Sequence, residues 1–479
     1  ADLRETLTQF EQATNFGSLV VPKLKDPAET ARLIGAKDLS GDLLLGEVNE
    51  RLVKVLQMAE YLSPKYHVVV VNPPYLGGKG MNGHLSVFAN ENYPDSKSDL
   101  FAMFMERTLS LSHKRGMMAM INMQSWMFLS SYEILRGKLL THSTILSMAH
   151  LGERGFDTIG GAVVSTTAFV IQNAHHMSLK GDYARLVNGN SEAEKSAEMR
   201  EAVENPNCGW FYRASAEDFG KISGSPVVYW LSNQISKLFL RPKLREVGTA
   251  RQGLATADNG RFVRNWHEVA LSNIGFGCHD EAQSWKSGLT WFPYNKGGER
   301  RKWYGNQDCV VNWKDGGHLI RQSNRARVQN TEFYFRESVS WGLITSNTSS
   351  FRYFPTGFIY DVGGMSYFSS DKQFQILTML NTSLLGKLAK VLNPTVNLQV
   401  GDVASLPYLI KPSIEGSLER IGKDCIDIAR SDWDAYERSW KFMTNPLLAT
   451  GDPSNVLETS YSAVRTQWLS MSNNMQRFE

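Results

Sequence analysis

At 479 residues, with 42% hydrophobic, 21% charged and 11% aromatic residues, the chain is too long for one core and too apolar for disorder, so two to four folded domains are expected. No run approaches the roughly 18 apolar residues of a membrane helix, and Ala1-Asp2-Leu3-Arg4 lacks the basic and apolar parts of a signal peptide, so a cytoplasmic location without a membrane partner is expected. A net charge of +3 does not by itself announce a nucleic-acid surface, and Cys208, Cys278, Cys309 and Cys425 are too scattered for a zinc site or a disulfide framework.

Apolar residues recur at helical spacing over Leu3 to Phe10 and Val48 to Leu62. Tyr66-His67-Val68-Val69-Val70-Val71 then reads as a short buried strand. It stops at Asn72-Pro73-Pro74-Tyr75, because proline lacks a backbone N–H and pushes the residue before it out of helical conformation. After a glycine-rich loop, Ser98 can cap a helix to about Lys114. Gly116 to Ile121 is the next strand and Ser131 to Leu140 the next helix, and Ile145 to His150 with Ala162 to Ile171 form a closing antiparallel pair. Alternating helices and buried strands over the first 175 residues predict a parallel sheet covered on both faces. The acidic stretch Ser191 to Glu204 reads as a surface insertion or linker, and beyond it short strand-like pieces rich in Gly, Arg and aromatics run to Gly364. One regular helix from Lys372 to Val391, capped by Asp371, and helical segments at about Gly416 to Met443 and Asn455 to Met471 complete the chain.

The tetrapeptide after the valine run carries chemistry. An exocyclic amine on an aromatic base is a weak nucleophile, since its lone pair is delocalised. The Asn72 side-chain oxygen and the Pro73 carbonyl can accept its two hydrogens and aim the lone pair at an electrophilic methyl, while Pro74 stiffens the corner. Tyr75 offers a face on which an extruded base can stack. The bland alternative is an Asn-Pro turn followed by a core tyrosine; its place at the end of a strand, where doubly wound sheets bind ligands, favours the functional reading.

Other signals lead nowhere. Gly77-Gly78-Lys79-Gly80 lacks the spacing of a phosphate loop and reads as a mobile loop beside the corner; His175-His176 reads as a solvated pair; Pro94-Asp95 has no Asp/Glu-x-Lys partner for a nuclease. Positive charge is segregated, with 17 Lys+Arg against 10 Asp+Glu between Arg241 and Arg352. Lys296, Arg300, Arg301 and Lys302 form one cluster among aromatics and glycines, and Arg321, Asn324, Arg325 and Arg327 a second. Such sets suit phosphate neutralisation and base-edge contacts.

Asn-Pro-Pro-Tyr after a hydrophobic strand resembles motif IV of the amino-methyltransferases that use S-adenosylmethionine. Asp99-Leu100-Phe101 resembles their motif V, Gly116 to Trp126 their motif VI, and Phe156 falls near the aromatic of motif VIII. That likeness implies a catalytic set Asn72, Pro73, Pro74 and Tyr75, base stacking by Tyr75 and Phe156, and Asp99 at the cofactor. The family's glycine-rich cofactor motif is absent, so the resemblance implies the C-terminal half of a Rossmann-like methyltransferase sheet, with S-adenosylmethionine bound mainly by a part outside this segment and the segment alone inactive. The strings Arg251 to Arg264, Trp291 to Gly298, Arg301 to Asn306, Phe333 to Glu337 and Leu392 to Asn397 are similar to large single-chain adenine methyltransferases of BREX phage-defence systems. This adds Arg251, Arg264 and Arg336 to the expected DNA contacts. Gly401-Asp402 and Leu406-Pro407 resemble the end of target-recognition domains in type I restriction specificity subunits.

The resemblance thus implies an α/β catalytic domain over 1–175, a linker or insertion over 176–215, an α+β DNA target-recognition domain over 216–410 and C-terminal helices, a spacer, over 411–479. Its expected partners are double-stranded DNA, the N-terminal part of the same methyltransferase, and other BREX proteins. Its expected activity is site-specific adenine-N6 methylation by base flipping. Two rivals remain open at this point: a protein glutamine methyltransferase built on the same tetrapeptide, and a DNA-binding sensor or specificity module that does not methylate.

Overall fold

The four-valine run does form a strand, β1 (Tyr66–Val71), in the computed structural model. The structure describes residues 2–36, 43–158, 164–343, 349–393, 397–449 and 456–478. Ala162, Asn455 and Pro394 to Val396, which entered the sequence reading, lie outside these residues. The chain folds as two units, Ala1–Ser236 and Lys237–Glu479.

In the first unit, β1 pairs in parallel with β2 (Ser112–Met123), and β3 (Thr144–Gly152) and β4 (Thr166–Gln172) form the expected antiparallel pair. The sheet has six strands in the order β1-β2-β4-β3-β5-β6, where β5 is Gly181–Arg185 and β6 is Phe211–Ala214. Only the β1–β2 and β3–β5 pairs are parallel, so the all-parallel expectation becomes a mixed sheet. Because β4 runs against both β2 and β3, the strands β1, β2, β3 and β5 end on one edge, and that edge carries Asn72.

β1 is not buried, contrary to its composition. It is the last strand of the sheet, and Val68 and Val70 are 58% and 75% exposed. Along β2 the alternation is explicit: Met118, Met120 and Asn122 are buried, whereas Met117, Ala119 and Ile121 on the other face are exposed or half-buried. One face of the sheet is therefore covered, in part by the helix Leu100–Leu111, and the other holds an open apolar groove of about 700 Å³ lined by Val70, Asn72, Ile121, Ala168, Val170 and Val203.

Labelled in chain order, the longer helices here are α1 (Asp2–Phe10), α2 (Pro27–Gly35), α3 (Leu43–Leu62), α4 (Gly83–Asn92), α5 (Leu100–Leu111), α6 (Glu133–His142) and α7 (Glu192–Glu204). The cap of α5 is Asp99, one residue after the expected Ser98. The stretch read as linker or insertion instead supplies α7, capped by the Ser191 hydroxyl accepting from the Glu194 N–H, between β5 and β6. Its Lys195 is 2% exposed and donates to the Leu151 and Leu186 carbonyls, both at 2.7 Å, fastening the helix to the ends of β3 and β5.

The second unit has two four-stranded sheets. One runs β13-β9-β10-β8 and the other β12-β11-β14-β7, with β7 Thr249–Arg251, β8 Val263–Asn265, β9 Trp291–Asn295, β10 Cys309–Asn312, β11 Ser338–Gly342, β12 Phe351–Phe354, β13 Ile359–Tyr360 and β14 Gly364–Phe368. Phe292, Tyr294, Trp313, Phe335 and Ile359 form an aromatic core. The single helix expected from Lys372 to Val391 is two, α8 (Gln373–Leu380) and α9 (Ser383–Leu392). Buried Asn381 breaks it: its side chain accepts from the Phe351 N–H at 3.0 Å and donates to the Phe351 carbonyl at 2.9 Å, and Thr382 then caps α9. α10 (Glu415–Asp434) packs on α8 at Gly422, where an added Cβ would meet Thr378 Oγ1 at 2.5 Å and the Phe374 carbonyl at 2.8 Å; α11 (Leu457–Phe478) follows.

Candidate functional site

β1 ends at Val71 because the next three residues cannot extend the ladder: two are prolines, and the third, Asn72, stands before them. The Asn72 side chain is exposed, lines the end of the open groove and has no hydrogen-bond partner among the described residues. Pro73 beside it is buried. Tyr75 is half-buried; its hydroxyl donates to the Ile121 carbonyl of β2 at 3.4 Å, and its ring meets Phe101 edge-on, with centroids 6.3 Å apart.

Asp99 holds this corner from behind. Its Oδ1 accepts from the Leu76 N–H at 3.0 Å and from the Phe101 N–H at 3.3 Å, so one oxygen both ties down the loop after Tyr75 and caps α5. The residue is 8% exposed, and burial pushes its carboxyl above the usual range against the pull of the Leu76, Phe101 and Leu100 N–H groups. Asp99 is thus a brace of the corner through its Oδ1. Gly77 to Gly80 closes as a turn on itself, the Gly80 N–H donating to the Gly77 carbonyl at 2.8 Å. Phe156 lies beyond the end of β3, half-buried, and among the described residues no aromatic ring, that of Tyr75 included, is paired with its own.

The same edge of the sheet holds a network that sequence reasoning missed. Gln124, directly after β2, meets His150 of β3 at 2.5 Å between Gln124 Oε1 and His150 Nε2, and His150 Nδ1 meets the Tyr229 hydroxyl at 2.9 Å. Phe128, Tyr229 and Trp230 wall the imidazole, and the Arg185 guanidinium sits 5.0 Å above the Trp230 ring. Burial first, then the charges of Arg185 and Lys195, push the imidazole down to about 3, so it is neutral at physiological pH. No short motif announces residues 26 and 79 positions apart; the buried histidine in a strand was the one signal available.

The structure sorts the basic residues of the second unit into separate environments. Lys296 donates to the buried Asp361 carboxylate at 2.5 Å, and Arg301 pairs with Asp432 at 3.1 Å and stacks on Trp433. Lys302 is half-buried. Arg251 and Arg336 both lie over Phe333, Arg264 over Trp291, and Arg321 over Trp313 while it approaches Glu281 at 3.6 Å. Arg300, Asn324, Arg325 and Arg327 are exposed, and among the described residues the side chains of Arg300 and Arg325 have no ion pair. Arg352, counted in the basic excess, is wholly buried: it donates to the carbonyls of Gly297 at 2.8 Å and Glu299 at 3.1 Å, moulding the loop that presents Arg300. Asn306 grips the same two carbonyls from the other side, at 3.1 and 2.8 Å. Gly297 is needed there, with φ +90° and a would-be Cβ 2.5 Å from the Gly363 carbonyl. Among the described residues no cluster of His, Cys, Asp or Glu is arranged to hold a metal, no disulfide joins the four cysteines, and no helix is long and apolar enough to cross a membrane.

The model of the Eco57I restriction-modification methylase family matches residues 35–156, the stretch from α3 through β3 that contains the corner. Over most of its length the chain is similar to two particular proteins. One is the adenine-specific methyltransferase BrxX of Escherichia coli O9:H4 (strain HS), 40% identical over 93% of this chain and 36% of that protein; the other is the adenine-specific methyltransferase PglX of Lacticaseibacillus casei (strain Zhang), 38% identical over 93% of this chain and 38% of that protein. The resemblance read from the motifs therefore holds, and the chain spans little more than a third of the length of these relatives. The solved restriction-modification enzyme MmeI in complex with DNA is more distant, at 11% identity and a TM-score of 0.49 over 88% of this chain and 58% of that one, and bears no weight here.

Proposed function

We propose that this chain is the amine-orienting and DNA-reading part of a site-specific adenine-N6 DNA methyltransferase that works in BREX-type phage defence together with other proteins of that system. One observation carries the reading: an unpartnered, exposed Asn72 amide at the tip of a strand, next to Pro73 and braced through Asp99 and Tyr75. On this reading the Asn72 oxygen and the Pro73 carbonyl take the two N6 hydrogens of an extruded adenine. Pro74 keeps the two acceptors rigid, and Tyr75 stacks on the ring, worth about 1–3 kcal/mol, with Phe156 closing from the other side. The amine attacks with its own lone pair, so no strong base is required.

The methyl comes from the sulfonium of S-adenosylmethionine when that cofactor is bound. We assign Asp99 to bracing through Oδ1, which accepts from two backbone N–H groups of the corner. The open edge of β1 and the apolar groove beside Asn72 support a cofactor-binding part of the same protein that adds strands at β1 and covers this face. Residues 1–175, joined by β5 and β6, then make the later half of the catalytic domain, 216–410 recognise the DNA sequence through the exposed Arg300, Arg325 and their neighbours, and 411–479 act as a helical spacer.

The test is Asn72→Ala in the full-length protein. Long-read detection of modified bases in cellular DNA should show one methylated adenine motif with the wild-type gene and none with the variant, while DNA binding by the purified variant stays close to wild type. Methylation at the wild-type level by Asn72→Ala would remove the corner from the mechanism.

A further inference from the structure

We infer that Gln124 is a second contact to the target base, its side-chain amine donating to adenine N1 while Asn72 and Pro73 hold the N6 amine. The inference rests on the methyltransferase reading and deepens it by naming what selects adenine.

The two loops are neighbours. Val71 of β1 is in register with Met120 of β2, and the Tyr75 hydroxyl is bonded to the Ile121 carbonyl, so the corner after β1 and the segment after β2 leave the same edge of the sheet from adjacent strands, which lie about 4.8 Å apart where they pair. Gln124 is the first residue after β2, and its N–H is fastened to the Ser165 carbonyl at 2.9 Å.

Its side chain is oriented by a one-way chain of hydrogen bonds. Gln124 Oε1 can only accept, so His150 Nε2 donates to it. A neutral imidazole has one N–H, so His150 Nδ1 must accept, and the Tyr229 hydroxyl donates to it. The acceptor end of the amide is thereby turned toward His150. Both donors of the Gln124 amine remain without a partner among the described residues, and the amine is not buried. The rings of Phe128, Tyr229 and Trp230 behind His150 keep this arrangement dry and fixed.

Adenine fits such a donor. N1 is an acceptor bonded to the carbon that carries the amine, so a base whose N6 hydrogens face the acceptors of one loop turns N1 toward an adjacent group, here a donor. An extruded base is read in this way along its Watson–Crick edge. Guanine carries a proton on N1, and two donors facing each other would reject it.

The experiment uses the full-length protein, S-adenosylmethionine and a duplex carrying its methylated motif, with adenine or 1-deazaadenine at the target. We expect Gln124→Met to lose roughly 10- to 100-fold in kcat/KM on adenine, the range for one hydrogen bond in a desolvated site. The 1-deaza base should cost wild type a similar factor and cost Gln124→Met nothing further. Tyr229→Phe, which leaves the amide in place and loosens its orientation, should lose less and stay sensitive to 1-deazaadenine; it serves as the second variant if Gln124→Met does not fold. Gln124→Met at the wild-type rate, an equal 1-deaza penalty in wild type and Gln124→Met, or a Tyr229→Phe variant indifferent to 1-deazaadenine would overturn the contact. A wild-type protein that methylates no adenine at all would instead overturn the methyltransferase reading, and the contact with it.

Discussion

Arg107, Arg136 and Arg352 are each buried, and each spends its guanidinium on backbone carbonyls rather than on a carboxylate. Arg107 gathers Ser18, Val20 and Leu62 onto α5; Arg136 joins Trp126, Leu129 and Gly224; Arg352 shapes the loop from Gly297 to Arg301. Burial pushes the Arg136 and Arg352 guanidinium groups down to about 10, still charged at neutral pH. Truncation strands several carbonyls at once. Arg352→Met should lower the stability of the second unit by roughly 3 kcal/mol, read by chemical denaturation, and Arg352→Lys should recover only part, because one ammonium cannot replace a planar fork. His150 gives a pH signature. The unfolded chain takes a proton there near pH 6.5 and the folded chain only near 3, so the stability this site contributes is complete above about pH 6.5 and is lost as pH falls toward 3, by several kcal/mol at about the acid end. Denaturation of wild type and His150→Gln between pH 4 and 8 should show that slope in wild type and a flatter one in the variant; equal slopes would place the acid sensitivity in other groups.

At the level of elements, local rules were readable and long-range ones were not. The valine run, the proline stop and the β3–β4 pair could be read because their causes lie within a few residues. The exposure of β1 could not: Val-rich composition says strand, and only the neighbours decide whether it is covered. The break between α8 and α9 escaped for the same reason, since Asn381 looks tolerable in a helix until Phe351, 30 residues away, offers it a backbone N–H and carbonyl. In the candidate site, the corner was legible as a tetrapeptide, but the Gln124–His150–Tyr229 relay joins three elements and has no spacing to detect. The basic clusters were legible as composition, but not that Lys296 pairs with Asp361, Arg301 with Asp432, or that Arg352 is buried on backbone carbonyls. This separation sets a prediction for the loops: reversing Arg300 and Arg325 to Glu in the full-length protein should weaken DNA binding and shallow its salt dependence, with an unchanged melting temperature. Binding isotherms indifferent to both reversals would leave these loops as solvated surface.

For the whole molecule, the consequential feature is the bare side of the first sheet. If a cofactor-binding part pairs there, β1 amides that exchange rapidly in this chain alone should be protected in the full-length protein, by hydrogen-exchange mass spectrometry; identical rates in both would leave β1 a true boundary. Left uncovered, a valine-rich border strand is a template on which a second molecule can lay its own strand and stack indefinitely. Production of this chain by itself therefore calls for a co-expressed shield, or for Val70→Lys as a gatekeeper against fibrillar self-association.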